Sequence, residues 1–285
     1  IFDYEEKNKL YDIVHCRGVL SHTAAKEKAF KKICSFLKKG GYLIFGDPNK
    51  AGGFQNMLQR YALYNFSEND EQIVNNSEIL FKEDIDRSQN AVPRTRNEII
   101  YDRWVIQSQD DPSFEEVNKW LVDCGLKIYS SFPNLPDFLF TDSYYNNQRQ
   151  DLSKSKNISI LSEILWMMKT DDDLKDLKLI DNDLSKLSES FTKLTSYVAN
   201  CNKQTKIDTK EFILMSDNLI KEIENLSFIN DLKNKLKDFI GESKQLIDLV
   251  NNKKIKDVEE FIGKCSTLFR GPCGVRHVDF IAYKI

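Results

Sequence analysis

The sequence predicts an α/β protein with a mostly parallel sheet, an antiparallel last strand and a large helical insertion. Near the start of the chain two short apolar runs flank an amphipathic segment, which gives the order strand, helix, strand. Between about residues 151 and 268 glycine almost vanishes and proline is absent, and apolar residues recur at helical spacing. The last residues return to alternating strand character.

Composition sets limits on the class of protein. The 285 residues allow one large domain or two ordinary ones, and 41% hydrophobic with 30% charged residues is typical of a globular chain in water. A net charge of -3 argues against a broad nucleic-acid-binding face. No apolar run approaches the about 18 residues needed to cross a membrane. The six cysteines lack CxxC spacing, which indicates reduced core residues of a cytoplasmic protein and no metal site.

The first unit follows from the local pattern. The run YDIVHC, residues 11–16, is a buried strand bounded by Gly18. In AAKEKAFKKICSFLKK the apolar residues recur at three and four, so this segment is a helix, which Gly40 and Gly41 are expected to end. A second apolar run, residues 42–45, precedes Gly46-Asp47-Pro48. Strand, helix and strand with short joints predict a parallel pair.

The middle of the chain continues this order after an excursion. GFQNMLQRYALYNF is predicted to be helical within a less regular segment, residues 50–111, that caps the sheet. Ser113 with Glu115 and Glu116 marks a helix start, and Gly125 marks its end. LKIYSSFP is the next strand.

Amphipathic helices fill residues 151–268, and Asn-rich breaks disfavour one long coiled coil. Val278, Phe280 and Ala282 then alternate with polar residues in a last strand. A lone strand must pair, and the simplest partner is the strand that ends near residue 132. The predicted domains are therefore residues 1–150 plus 269–285 as the core and 151–268 as a helical insertion. That insertion is interpreted as a lid, a homodimer surface or a docking platform.

This order resembles the C-terminal half of a class I S-adenosylmethionine-dependent methyltransferase, which has a Rossmann-like sheet. The resemblance rests on YDIVHCRGVLSHT, AFKKICSFLKKGGYLIFGDPN, SFEEVNKWLVDCGLKIYSSFP and the closing VRHVDFIAYK. The family's glycine-rich loop does not occur in the chain, which has no GxGxG. The expectation is a fragment whose first strands, with that loop and the acidic residue that binds the ribose, are absent.

The resemblance implies where the cofactor and the acceptor lie. Cys16, Arg17, Gly18 and Val19 follow the first strand and would line the methionine part of S-adenosylmethionine. Glycine at that point lets the main chain come close to a ligand. Ligands of open parallel sheets bind at the carboxyl ends of the strands, so the acceptor pocket is expected beside this loop.

Methyl transfer is an in-line displacement that depends on alignment and desolvation, and a general base is needed only if the acceptor loses a proton. His22 and Asp47 are the candidate catalytic residues. The alternatives are a loop histidine that bonds to the backbone and a turn aspartate before proline. Five residues are candidates for binding the substrate, with helix packing and solvated charge as the alternative for those in the cap. These five are Asn49, Arg60, Tyr61, Tyr101 and Arg103.

Three function classes follow. The first is an S-adenosylmethionine-dependent methyltransferase that acts on a small molecule or biosynthetic intermediate, without nucleic-acid or membrane partners. The second is a methyltransferase-like scaffold that has lost the cofactor site. A nicotinamide-dependent oxidoreductase is disfavoured, because it too would need a glycine-rich loop.

Overall fold

The computed structural model describes a mixed α/β protein with one four-stranded sheet. The described residues are 1–4, 10–23, 25–105, 110–132, 152–170, 183–200, 206–226, 230–272 and 274–285. The strands are Tyr11–Arg17 (β1), Leu37–Pro48 (β2), Leu126–Phe132 (β3) and His277–Lys284 (β4).

The strands lie in the order β1, β2, β4, β3. β1 and β2 pair in parallel, whereas β4 pairs antiparallel with both β2 and β3. The predicted return of the last strand to the side of β3 is confirmed. The prediction of a mostly parallel sheet is wrong for the pairing of the described strands, since β4 lies between β2 and β3 and makes two of the three pairs antiparallel. β1, β2 and β3 nevertheless run in one direction.

The segments predicted to be helical contain helices, and the less regular cap segment forms three more helices after Phe66. The helices are Lys26–Ser35 (α1), Phe54–Phe66 (α2), Asp70–Leu80 (α3), Lys82–Ala91 (α4), Arg96–Ile100 (α5), Phe114–Asp123 (α6), Leu152–Met168 (α7), Ser185–Ala199 (α8), Thr209–Glu224 (α9), Asn230–Asn252 (α10) and Ile255–Lys264 (α11). A 3-10 turn, Leu20–His22, follows β1, and a π-helical turn, Tyr101–Val105, continues α5. In the described part of the chain, every helix is too short or too polar to cross a bilayer.

The predicted start of α6 is confirmed by a capping box. Ser113 accepts from the Glu116 amide, and the Glu116 side chain accepts from the Ser113 amide, so two amides that the helix leaves unpaired are satisfied. Gly125 follows the helix with a φ of +66°, as expected of a terminating glycine.

The predicted end of α1 at Gly40 and Gly41 is wrong. The helix ends at Ser35, and both glycines lie within β2. Between Tyr11 and Ile13 the β1–β2 register shifts, so that Tyr11 lies opposite Leu37 and Ile13 opposite Tyr42. Gly40 has a φ of +76°, which suits the extra residues of this bulge.

Two hydrophobic cores hold the elements. The first lies between one face of the sheet and helices α1 and α6, and Trp166 of α7 reaches into it. The second joins the cap helices α2–α5 to the helices of the insertion. The cap and the insertion thus share one core, although they are far apart in sequence, and this core stands beside the carboxyl ends of β1 and β2.

Asn49 and Glu163 connect these parts. The Asn49 side chain follows β2 and accepts from the amides of Ala51 and Gly52, 2.9 and 3.1 Å away, where the chain turns into α2. Its Nδ2 donates to Glu163 Oε1 at 2.8 Å, and the same oxygen accepts from the Phe114 amide at 2.7 Å. One carboxylate oxygen on α7 therefore holds the end of β2 and the start of α6 together.

The Glu163 contact leads to a stability prediction. Glu163→Ala leaves the Asn49 amide and the Phe114 N–H without their acceptor, which costs about 1–3 kcal/mol for each buried donor. Glu163→Gln keeps an oxygen at the same place and is the matched control. Denaturant unfolding should show a large decrease in the free energy of unfolding for Glu163→Ala and a much smaller decrease for Glu163→Gln. Equal losses in the two variants would contradict this role.

A comparison of wild type with Glu163→Gln across pH separates the effect of the Glu163 charge on stability from the effect of its hydrogen bonds. Burial raises the pKa of the Glu163 carboxyl from 4.5 to about 7, against the effect of the Asn49 and Phe114 hydrogen bonds. Between those values the folded protein keeps a proton that the unfolded chain has lost, so the free energy of unfolding falls as pH rises. Wild type should therefore lose stability relative to Glu163→Gln from about pH 4.5 to 7, and the difference should be constant above that range.

Gly46 leaves room for an ion pair that crosses three strands. Gly46 of β2 lies opposite Arg17 of β1 and Asp279 of β4. The Arg17 guanidinium donates to Asp279 at 2.8 and 3.2 Å above the glycine. A Cβ at position 46 would come within 1.8 Å of Asp279 Oδ1.

We expect Gly46→Ala to separate this ion pair or shift β4. Either change costs about 1–3 kcal/mol in thermal or denaturant unfolding, because a methyl group is forced into filled space. The control is Gly241→Ala in α10, where an added Cβ meets no atom within 4 Å. It should be neutral or stabilise the helix by about 0.5–1 kcal/mol. An unchanged Gly46→Ala protein would show that β4 has room to adjust.

Candidate active site

A cleft lies at the carboxyl ends of β1 and β2. Because β4 is antiparallel to β2, its first residue, His277, lies opposite Pro48 at the last residue of β2. Gly18 follows β1 at the same edge. Helices α4 and α5 of the cap face this edge across a space of about 490 Å³.

The residues that line the cleft come from the sheet edge, from the cap and from the turn before β4. They are Gly18, His22, Pro48, Asn56, Ser88, Val92, Arg94, Ile99, Asp102, Arg103, Gly274, Val275 and His277. Three of the residues predicted from the sequence, Gly18, His22 and Arg103, are thus brought together.

Gly18 opens the main chain to the cleft. Its φ is +64°, a Cβ there would meet no atom within 4 Å, and its amide donates to the Gly46 carbonyl at 2.8 Å. A side chain at this position would be strained and would also project into open space. The exposed peptide after β1 is therefore accessible to a ligand. Val19 beside it is exposed.

Cys16 and Arg17 point to opposite faces of the sheet. Cys16 is buried in the core under α1 and α6, and burial raises the pKa of its thiol to about 11, with the Asp47 charge as a further cause. Arg17 is half-exposed and engaged with Asp279. Neither side chain is among those lining the cleft, so their predicted contact with the cofactor stays a prediction and would involve the main chain.

Asp47 positions the turn that carries His22. Its carboxylate is 1% exposed and accepts from the Ser21 amide at 3.0 Å and the Ser21 hydroxyl at 3.2 Å. Burial raises the pKa of Asp47, and the hydrogen bonds from Ser21 oppose that shift. The exposed His22 follows Ser21 in the 3-10 turn and lines the cleft. Asp47 as a base stays a prediction, and its contacts are those of a residue that holds the loop.

His277 is a second imidazole in the cleft that the sequence analysis did not select. Partial burial at the start of β4 lowers the pKa of His277 below 6.5; the nearby Asp279 opposes this shift and Arg17 adds to it. The ring is therefore neutral at neutral pH and can accept a proton. The sequence signal was weak, since a polar residue at the start of an alternating strand is expected to face solvent.

Arg103 is held on the cap side by an inner polar network. Its Nη1 donates to Asp84 Oδ2 at 2.7 Å, and its guanidinium lies 5.7 Å from the Trp104 ring centre. The Arg103 carbonyl accepts from Arg60 Nε at 2.6 Å and from Asn56. Arg60 is buried, and burial lowers the pKa of its guanidinium. Arg60 thus positions Arg103 and is not among the residues of the cleft.

The remaining predicted substrate residues lie elsewhere. Tyr61 is buried in the helical core, where its hydroxyl bonds to Asn251 and to the Ile207 carbonyl. Asn49 is buried in the junction with Glu163, and its side-chain amide atoms are engaged there. Tyr101 is 46% exposed and is not among the residues that line the cleft. Their role in substrate binding stays a prediction.

The cysteines and acidic residues do not form a metal centre in the part of the chain that is described. No group of three His, Cys, Asp or Glu side chains there could hold an ion. Cys16, Cys34, Cys124 and Cys265 are free thiols, while Cys201 and Cys273 lie outside the described residues.

Comparison with known proteins assigns the part of the chain that forms the sheet edge. Residues 2–112 match a family model described as a methyltransferase domain. This segment contains β1, β2 and the whole cap, and hence most of the walls of the cleft. No curated protein matches the chain. The match agrees with the resemblance drawn from the sequence, and residues 2–112 are similar to a methyltransferase domain.

Proposed function

We propose that the protein transfers a methyl group from S-adenosylmethionine to a small molecule or biosynthetic intermediate that binds in the cleft. The main support is that the matched methyltransferase segment meets the cleft at the carboxyl ends of β1 and β2. Open parallel sheets bind their ligands at that edge. We further propose that the sheet is the C-terminal half of a Rossmann-like platform, with three strands in one direction and β4 reversed.

The described residues of the loop after β1 suit the methionine part of this cofactor. The peptide at Gly18 is open to a ligand, and Val19 beside it is exposed. The chain has no glycine-rich loop, so residues for the adenosine and ribose are not identified. When bound, the cofactor supplies a sulfonium methyl group that a nucleophile can attack. The chain's own residues then orient the acceptor and exclude water.

Two histidines that line the cleft, His22 and His277, can act as acid–base groups. If the attacking atom of the acceptor carries a proton, a neutral imidazole in the cleft would take that proton. His277 is suited to this step because its lowered pKa keeps it unprotonated. His22 lines the same cleft from the turn that Asp47 holds. Asp47 holds the loop that carries His22, and its role as a base stays a prediction.

A second candidate function is a methyltransferase-like binding or scaffold protein. The observation that favours it is the lack of GxGxG in the chain. For the methyltransferase we also propose a cytoplasmic location and neither a nucleic-acid nor a membrane partner. Its helical insertion would form a homodimer contact.

Calorimetry of the full-length protein with S-adenosylmethionine separates the two functions, and two glycine variants locate the site. Gly18 and Gly125 both have positive φ, and a Cβ at either meets no atom within 4 Å, but only Gly18 lines the cleft. Gly18→Ala and Gly125→Ala should each lose about 1–2 kcal/mol of stability through backbone strain.

Only Gly18→Ala is expected to weaken cofactor binding, by about tenfold, because its methyl group enters the ligand's space. No binding at millimolar cofactor would favour the scaffold. Equal affinities for the two variants would place the cofactor away from the loop after β1.

The proton-acceptor role of His277 has its own measurement. The imidazole proton signals of His277 should titrate in NMR below pH 6.5, because partial burial lowers the pKa. Asp279→Asn should lower that pKa further, since the carboxylate that favours the charged ring is removed. The exposed His15 of β1, which is not among the cleft residues, serves as the reference, and His15→Gln confirms the assignment. A His277 pKa above 6.5 would remove it as the base at neutral pH.

A further inference from the structure

The guanidinium of Arg103 is only partly satisfied by the protein. Its side chain is 10% exposed, and Nη1 is engaged with Asp84. Among the described residues, the bond from Nη1 to Asp84 is the one hydrogen bond that the Arg103 side chain donates, so Nε and Nη2 have no protein acceptor there. Arg103 lines the cleft, and its Nη2 lies 4.0 Å from the position that a Cβ would take at Gly274, which also lines that space. A ligand in the cleft can therefore reach this end of the guanidinium. A buried arginine normally satisfies its donors, so an outside acceptor is expected.

The charges behind Arg103 leave a positive excess. Asp84 is 7% exposed and accepts from Arg103, Arg87 and Gln59. Burial raises the pKa of Asp84, but Arg103, Lys169 and the other partners lower it by more, so the carboxyl is ionised. The Asp84 carboxylate is thus shared by two guanidinium groups, those of Arg103 and Arg87. It cannot neutralise Arg103 on its own.

The other charged groups of the cleft do not cancel this excess. Asp102 is the acidic residue that lines the cleft, and it is paired with Arg94 at 2.9 Å. Asp279 near the sheet edge is paired with Arg17 at 2.8 Å. His22 and His277 line the cleft as imidazoles and add no negative charge.

We propose that the acceptor carries an oxyanion, a carboxylate or a phosphate, and that Arg103 binds it. This inference rests on the proposed function, because it names the substrate class of the same cleft. The guanidinium fork suits a planar carboxylate or a phosphate, to which it donates two parallel hydrogen bonds. Its position is fixed in advance by Asp84, Trp104 and the carbonyl bond to Arg60, so few rotamers are lost on binding.

The test measures stabilisation of the full-length protein by inorganic phosphate and by acetate, against chloride at equal ionic strength. Wild type should melt at a higher temperature as phosphate or acetate is added, with a saturable dependence. Arg103→Gln should lower the anion affinity by about tenfold or more. Arg103→Lys keeps the positive charge next to Asp84 and should therefore retain part of the anion affinity. Lys193→Gln, on the exposed face of α8, removes one charge elsewhere and should behave as wild type.

Two further arms keep the result decisive. If Arg103→Gln does not fold, NMR of the arginine Nε–Hε signals in wild type takes its place, and the Arg103 signal should move most on phosphate addition. Repeating the titration with saturating S-adenosylhomocysteine separates the acceptor from the carboxylate of the cofactor. Stabilisation by phosphate that persists supports an acceptor site. Competition between the two ligands would assign Arg103 to the cofactor and overturn the proposal.

The absence of stabilisation beyond chloride, or equal stabilisation of Arg103→Gln and wild type, would also overturn it. These measurements need no turnover, so they are independent of the cofactor titration. Phosphate binding at Arg103 without S-adenosylmethionine binding would leave the anion site standing while the methyl-transfer proposal fails.

Discussion

The hydrogen bond between Asn49 and Glu163 is the constraint on which the arrangement of the parts depends. Asn49 follows β2, one of the strands on which the resemblance to a methyltransferase rests, and Glu163 belongs to the first described helix of the insertion. Their contact also includes the start of α6 through the Phe114 amide. A buried carboxyl is costly unless it is paired or protonated. The two donors on Glu163, with its raised pKa, are therefore what makes this junction tolerable in the interior.

The cleft depends on that junction through the second core. The cap helices pack on the helices of the insertion, so the wall that carries Arg103 is supported by helices distant in sequence. Arg87 illustrates the link, since it contacts both Asp84 of the cap and the Phe269 carbonyl that follows the insertion. A change in how the insertion packs would thus be transmitted to the guanidinium that faces the cleft, through contacts already present in the folded state.

Local signals predicted the elements whose causes are local. Ser113 and Gly125 bound α6 as expected, because helix ends are decided by side chains within one turn. The alternating pattern in β4 predicts that Val278, Phe280 and Ala282 face the core, and all three are buried. Gly40 and Gly41 led to a wrong prediction of the end of α1, because glycine with a positive φ occurs at a β-bulge as well as at a helix end. Of the residues selected from the sequence, Gly18, His22 and Arg103 line the cleft, and His277 lines it without having been selected. Asn49 and Tyr61 were also selected, but their polar groups are engaged within the protein.

By itself the sequence determined the order of strands and helices, the return of the last strand and the resemblance to a methyltransferase. The first two follow from spacing along the chain and from the need of a lone strand to pair, whereas the resemblance rests on the motifs shared with that family. Tertiary structure alone decided that β4 lies between β2 and β3, that Gly46 leaves room for Arg17 and Asp279, and that Arg103 meets the sheet edge. Each of these depends on contacts between residues more than 25 positions apart, and no periodicity within one element encodes which distant side chain will fill the space beside it.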